Sequence, residues 1–381
     1  MYKNIILYIY KEFKFIILST SAIFINILFL ILAYKLGFQL LDKYIIAVTA
    51  NSVLASIFYS LTIKSKKKNT KINLIISTKG FVSIIIIFLL LFTYIFLIDY
   101  FLLIIFFCTL IFSEFLVSLT LTKYQIYNKN IRYAITRNLQ SLVKIFTLIF
   151  IFYTKNILTL GILNNIIIII FTGSVLLHFN FTINRNKKSF GIVDILYTFT
   201  GAIIFQLDKL IGPTHLDVNT ITRYFVIFKI TSLYQIIGSV IVQPIRNLLI
   251  KRKNITKEMK RNIKNVSYLL IFFYLLSNLI LIIIYHYHFL SVLKIKIEFN
   301  DIIIYNLISL SFILHTQSGF YIDKLYLNNQ SQYLTKLNII CIIIIGSTIY
   351  LIDNPVAWAL SILISQILLI IFSQKIISIF K

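Results

Sequence analysis

Charge is what this sequence has least of. Only 13% of its 381 residues are Asp, Glu, Lys or Arg, about half the roughly 25% of an ordinary soluble domain. Hydrophobic residues make up 59%, and the mean hydropathy is +0.92. A chain this poor in charge cannot cover its own surface in water. Turn formers are scarce too, with 3 Pro and 10 Gly, too few for a many-stranded β protein. Membrane barrels need strands of about ten residues that alternate in polarity, and the apolar runs here do not alternate. The two cysteines, Cys108 and Cys341, both fall inside apolar runs and imply no disulfide framework. The sequence has no Walker A glycine loop, no His-Glu-x-x-His and no nucleophile elbow. The missing nucleotide motif argues against a primary pump, and nothing calls for a cofactor or a metal.

What the chain does have is long apolar runs. A helix needs about 20 apolar residues to cross the ~30 Å hydrocarbon core. Runs of that kind predict about 12 transmembrane helices, at 13–34, 40–63, 74–98, 100–122, 131–153, 156–179, 190–211, 219–245, 265–285, 300–322, 334–352 and 355–374. The first run is too long for a signal-peptide core and lacks a small-residue cleavage pattern. The expected fold is therefore an all-α integral membrane protein.

The loops alternate in charge. About 26 Lys and Arg fall on one side and about 7 on the other. The rich side includes Lys64, Lys66, Lys67, Lys68 and Lys71, then Arg185, Lys187 and Lys188, and a cluster from Lys251 to Lys264. Lys/Arg excess marks the cytoplasmic face, so both termini are expected there. The net charge of +25 is then topogenic, which removes nucleic acid as a partner and leaves anionic lipid headgroups, at about 1 kcal/mol per basic residue. Asn-x-Ser/Thr matches at Asn180, Asn254, Asn265 and Asn329 lie on or near the same side, away from glycosylation.

No loop is long enough to form a domain, so any chemistry belongs to the helix bundle. The stretch 185–189 divides the spans six and six, into lobes at 1–184 and 185–381. Lys43-Tyr44 and Ser52 recur as Arg223-Tyr224 and Ser232, at an offset of about 180 residues. Two-fold repeats flanking a midplane site are a common architecture of secondary transporters.

Charges within spans cost roughly 3 kcal/mol at the helix centre and usually face a cavity or a partner. Lys79, Asp194 and Arg246 lie near helix ends and can snorkel. Asp208, Lys209 and Arg223 are either an interfacial ion pair or the rim of a cavity. Lys144 and Lys229 are deeper; Lys229 is roughly 9 Å beyond Arg223 along its helix. Glu114 is placed to pair with Arg137 or Lys144. Cations outnumber anions in this interior, which suits a negatively charged group such as a phosphate. His286 and His288 read as part of an interfacial belt, His178, His215 and His315 lack ligand-like spacing, and Pro244 should kink or end its helix.

Two stretches resemble a known family. The first is Phe205-Gln-Leu-Asp208-Lys-Leu-Ile-Gly212, followed by Arg223-Tyr224 and Pro244; the second runs from Tyr124-Gln-Ile-Tyr-Asn-Lys-Asn-Ile-Arg132 through Arg137, Asn138 and Leu142. They are similar to the seventh-to-eighth and fourth-to-fifth helix regions of Wzx-like O-antigen flippases, in the superfamily of multidrug and oligosaccharidyl-lipid exporters. One departure is local: the family's Gly-x-x-x-Phe-Gly turn is replaced by Leu36-Gly37-Phe38-Gln39-Leu40, without the second Gly. The resemblance implies two six-helix lobes around a central cavity in the bacterial inner membrane. The cargo would be an oligosaccharide on undecaprenyl pyrophosphate, translocated to the periplasmic leaflet, with a polysaccharide polymerase and a chain-length regulator as partners. It assigns Lys144, Arg223, Lys229 and Lys209 to the anionic headgroup, and Asp208 and Glu114 to pairing or ion coupling. Two rivals remain. An O-antigen polymerase or ligase would carry a large outer loop, and the outer loops here are short. A cation-coupled drug extruder would favour acidic residues in its cavity, and this interior leans the other way.

Overall fold

The computed structural model describes residues 40–63, 66–68, 71–96, 101–126, 156–184, 192–252, 256–286, 298–327 and 330–379, with scattered helical positions within 25–32 and 132–147. The expected spans 13–34 and 131–153 lie mostly outside the described residues. Every other expected span meets a helix.

In chain order the described elements begin with α1 (Leu41–Ile63), β1 (Lys66–Lys68), β2 (Lys71–Ser77), α2 (Thr78–Phe96) and α3 (Phe101–Ile126). Next come α4 (Ile157–Thr172), a 3-10 turn (Gly173–His178), β3 (Phe179–Asn184), α5 (Ile192–Ile203), α6 (Leu207–Ile211) and a second 3-10 turn (Gly212–Thr214). Five long helices complete the chain: α7 (Val218–Arg252), α8 (Lys257–His286), α9 (Phe299–Leu327), α10 (Ser331–Leu351) and α11 (Pro355–Ile379). Among the described residues, 6 helices are long and apolar enough to cross a membrane. The pair α5 and α6, bent by 66° at its junction, brings the number to 7 if it is one span. The chain is a multi-pass, predominantly helical membrane protein.

Two compact units divide it, Met1–Ile221 and Thr222–Lys381. In the first, α1 packs on α3 and α3 on α4. Helices in lipid gain little from apolar burial against each other, so small residues and polar contacts hold them together. Both devices are present. Gly161 of α4 lies so close to Phe106 that an added Cβ would fall inside van der Waals contact of the ring, and Tyr44 of α1 stacks on that same ring at 5.3 Å. Asn165 donates to the Thr109 hydroxyl at 3.3 Å and accepts from Ser113 at 3.5 Å.

One small sheet departs from the all-helical expectation. Its order is β1-β2-β3, with β1 antiparallel to β2 and β2 parallel to β3 from Ile72 opposite Phe179 to Ser77 opposite Asn184. Ile72, Ile75 and Ile76 are β-branched and suit a strand, yet their hydropathy also extends the following span. Hydropathy alone therefore starts that span too early, and α2 begins only at Thr78.

The second unit is built from long helices with explicit starts. Thr256 caps α8 by accepting from Met259 N–H at 3.2 Å. At α9, Asp301 reaches back to accept from Glu298 N–H at 2.9 Å, one half of a capping box. Asn354 caps α11 through Val356 N–H at 2.9 Å, with Pro355 at the first helical position, where its missing N–H costs nothing. Trp358, fully buried, donates to the Ile352 carbonyl at 2.7 Å and pins that turn. The helix α7 does not end at Pro244 but continues to Arg252.

Candidate functional site

The expected straight span 190–211 is broken. Backbone bonds at the junction turn the chain: Gln206 N–H donates to Ile203 C=O at 2.8 Å, and Gln206 C=O then accepts from Leu210 N–H at 3.0 Å. The Asp208–Lys209 pair sits immediately after this turn. Lys209 Nζ donates to Asp208 Oδ1 at 2.6 Å, and the same oxygen accepts from Lys209 N–H at 3.0 Å. Both side chains are at most 1% exposed. Asp208 and Lys209 are thus paired with each other and buried.

Arg223 of α7 belongs to a different cluster. Its guanidinium donates to Glu298 at 2.7 Å and to Asp301, both at the start of α9. These groups are more open: Arg223 is 35% exposed and Glu298 52%. Lys229 lies six residues further along, about 120° around the helix at 3.6 residues per turn, and its ammonium is 5.1 Å from the centroid of the Phe225 ring. That contact is a cation–π interaction.

In the first unit, Glu114 accepts from Gln140 Nε2 at 2.5 Å. The partners expected for it, Arg137 and Lys144, lie outside the described residues, as does the assignment of Lys144 itself.

Several polar groups of the second unit are visible only in the structure. Tyr234 of α7 bonds to Ser277 of α8 and, at 2.9 Å, to Tyr305 of α9. Beside them Tyr274 donates to Asn306 at 2.8 Å. Further along α9, His315 Nδ1 lies 3.2 Å from Gln366 Oε1 of α11. Sequence reading passed over Glu298 and Asp301 because they precede or open a span. Their three-residue spacing ahead of an apolar run was the available signal. No protein-family model matches the chain, and no curated protein matches it.

Proposed function

We propose that this protein is a flippase that moves oligosaccharide repeat units on undecaprenyl pyrophosphate from the cytoplasmic to the periplasmic leaflet of the bacterial inner membrane. In this reading it has twelve helices in two six-helix lobes around a cavity, with both termini in the cytoplasm. The observation that carries the reading is the break between α5 and α6, inside the 205–212 stretch that bears the family resemblance, with the buried Asp208–Lys209 pair beside it. Breaks in a membrane helix are tolerated where protein buries the freed backbone or where it lines a polar pathway, and this reading takes the second use. Transporters use discontinuous helices in this way to meet ionic cargo. Lys229, six residues along α7 from Arg223 and 5.1 Å from the Phe225 ring centroid, is assigned to the phosphate. Arg223 and Lys209 reach an anion only by exchanging it for their present carboxylates, and Lys144 completes the proposed headgroup set. Asp208 and Glu114 serve pairing or ion coupling.

Complementation of a deletion in the parent bacterium tests the proposal. Wild-type protein should restore surface polysaccharide, and Lys229→Ala should abolish it at unchanged protein level. Full complementation by Lys229→Ala overturns the assignment of that residue. A deletion strain that still displays single repeat units points instead to a polymerase, because a flippase mutant displays none.

A further inference from the structure

His315 stands near the middle of α9, where an ionisable side chain in a membrane helix is costly and marks a functional site by default. Its partner Gln366 stands near the middle of α11, and these two helices pack against each other. Gln366 is completely buried, and its Nε2 has no hydrogen-bond partner among the described residues. A buried amide held at one end only is a rare arrangement that calls for an explanation. Exchanging its oxygen and nitrogen does not remove the vacancy but moves it to the other atom.

The pairing has a property that suits it to proton exchange. Neutral imidazole can present Nδ1 as an acceptor, whereas imidazolium presents N–H on both nitrogens. A primary amide offers both roles, so a half-turn of Gln366 lets it donate to the first form or accept from the second. The helices around this level carry few titratable groups. On α7, Gly238 lies against Thr316, next to His315, and against Leu270 of α8. The nearest titratable residue there is Tyr234, bonded to Ser277 and Tyr305, with Lys229 and Arg246 more than two turns from Gly238. On α8 they are Tyr268, under Lys264, and Tyr274, bonded to Asn306. On α10 it is Cys341, whose thiol lies 3.6 Å from the Ser365 carbonyl. Lys375 of α11 is more than two turns from Gln366, and the carboxylates of α9, Asp301 and Asp323, are two turns or more from His315.

We infer that His315 and Gln366 form a proton-binding site in the middle of the second unit, and that its occupancy is exchanged during the transport cycle. The second clause rests on the flippase reading; the first does not.

Two measurements on the full chain separate them. In lipid nanodiscs, histidine Cε1 carbons labelled with carbon-13 give one resonance that disappears in His315→Gln. That resonance should titrate within the pH range in which the protein stays folded, and Gln366→Leu should displace its midpoint. A resonance that does not titrate, or a midpoint indifferent to Gln366→Leu, overturns the site. In the complementation assay, His315→Gln at normal protein level should reduce surface polysaccharide to background. Undiminished display overturns the coupling. If wild-type protein carries no glycan while the resonance titrates, the flippase reading fails and the proton site stands.

Discussion

The helices α1 and α7 share a Tyr and a Ser at matching positions and otherwise diverge. Tyr44 and Tyr224, about 180 positions apart, are both buried against another aromatic ring: Tyr44 stacks on Phe106, and Tyr224 meets Trp358 edge-on at 6.2 Å. Ser52 and Ser232 each turn back on their own helix, donating to the carbonyls of Thr49 at 2.7 Å and Lys229 at 2.6 Å. Local chemistry thus repeats along with the residues. At the carbonyl-bearing position the side chains part company. The first unit has a buried Thr49, and the second has the cation Lys229. Ionic groups follow the same division. The first unit seals its Asp208–Lys209 pair, whereas the second leaves Arg223, Glu298 and Asp301 at helix ends. The two units share a scaffold device and differ in which charges they expose.

Breaking the sealed pair should have the largest effect. Removing one partner of a buried ion pair leaves the other charge uncompensated, at a cost of about 3–5 kcal/mol. Asp208→Ala should therefore lower the thermal midpoint in detergent steeply. Asp208→Leu combined with Lys209→Met removes both charges and should recover most of the loss, since apolar replacements of such pairs are often neutral. If Asp208→Ala is no more harmful than Arg223→Ala, the contrast between sealed and open clusters is wrong.

Close helix approach gives the next test. Gly161 and Gly238 each face a side chain that an added Cβ would strike: the Phe106 ring in the first unit, and both branches of Thr316 in the second. Alanine at either position should cost about 1–3 kcal/mol through overpacking. Phe106→Leu should partly rescue Gly161→Ala, because the obstructing ring is removed. Rescue of Gly238→Ala by Thr316→Ser should be weaker, since one of the two clashing atoms remains.

The long helices were legible in the sequence because hydropathy over about 20 residues is a strong signal. Two features were not. The break at 204–206 has no proline or glycine within it, and Phe205 continues the apolar run, so composition conceals it. Only the adjacent Asp208 and Lys209 mark the place, and two neighbouring opposite charges read equally well as an interfacial pair. The sheet was hidden because its lysines also read as the charges of a loop between spans. In the candidate site, individual cations could be named from sequence, but their partners could not. Glu298 and Asp301 stand 75 and 78 positions from Arg223, and no local pattern links residues so far apart. His315 was set aside for lack of a ligand-like spacing, and its partner, 51 positions away, left no local signal.

Opening the exposed cluster should matter less. Exposed ion pairs contribute about 0.2–1 kcal/mol, so Arg223→Gln should lower the thermal midpoint only slightly. The difference from wild type should shrink further in high salt, where screening weakens surface pairs. A loss as large as that of Asp208→Ala would show that the cluster at the start of α9 is not the open one.

The smallest effect concerns how the two helices start. Leu40, at the head of α1, holds a left-handed backbone with φ of 61° and offers no capping side chain, only its carbonyl to Tyr44 N–H at 2.9 Å. At the head of α7, Asp217 accepts from Thr220 N–H at 3.3 Å. Bonding to the Thr220 side chain first, and then to backbone N–H groups, holds its carboxyl below the usual range. A lowered pKa means that folding favours the ionised form. Its contribution is fully present above the unfolded value, about 3.9, and is lost as pH falls through the lower folded one. Asp217→Asn keeps a capping oxygen but cannot titrate. Its thermal midpoint should sit slightly below wild type at neutral pH, and the gap should close below about pH 4. Because the carboxyl is exposed, solvent screening keeps that gap small. Asp217→Ala removes the cap itself and should cost about 1 kcal/mol at every pH where the fold persists. The same substitution series at Leu40 should show no pH-dependent component, because nothing there titrates. A pH-independent gap for Asp217→Asn would mean that the carboxylate acts through its shape alone, and the two helix starts would then differ in geometry rather than in charge.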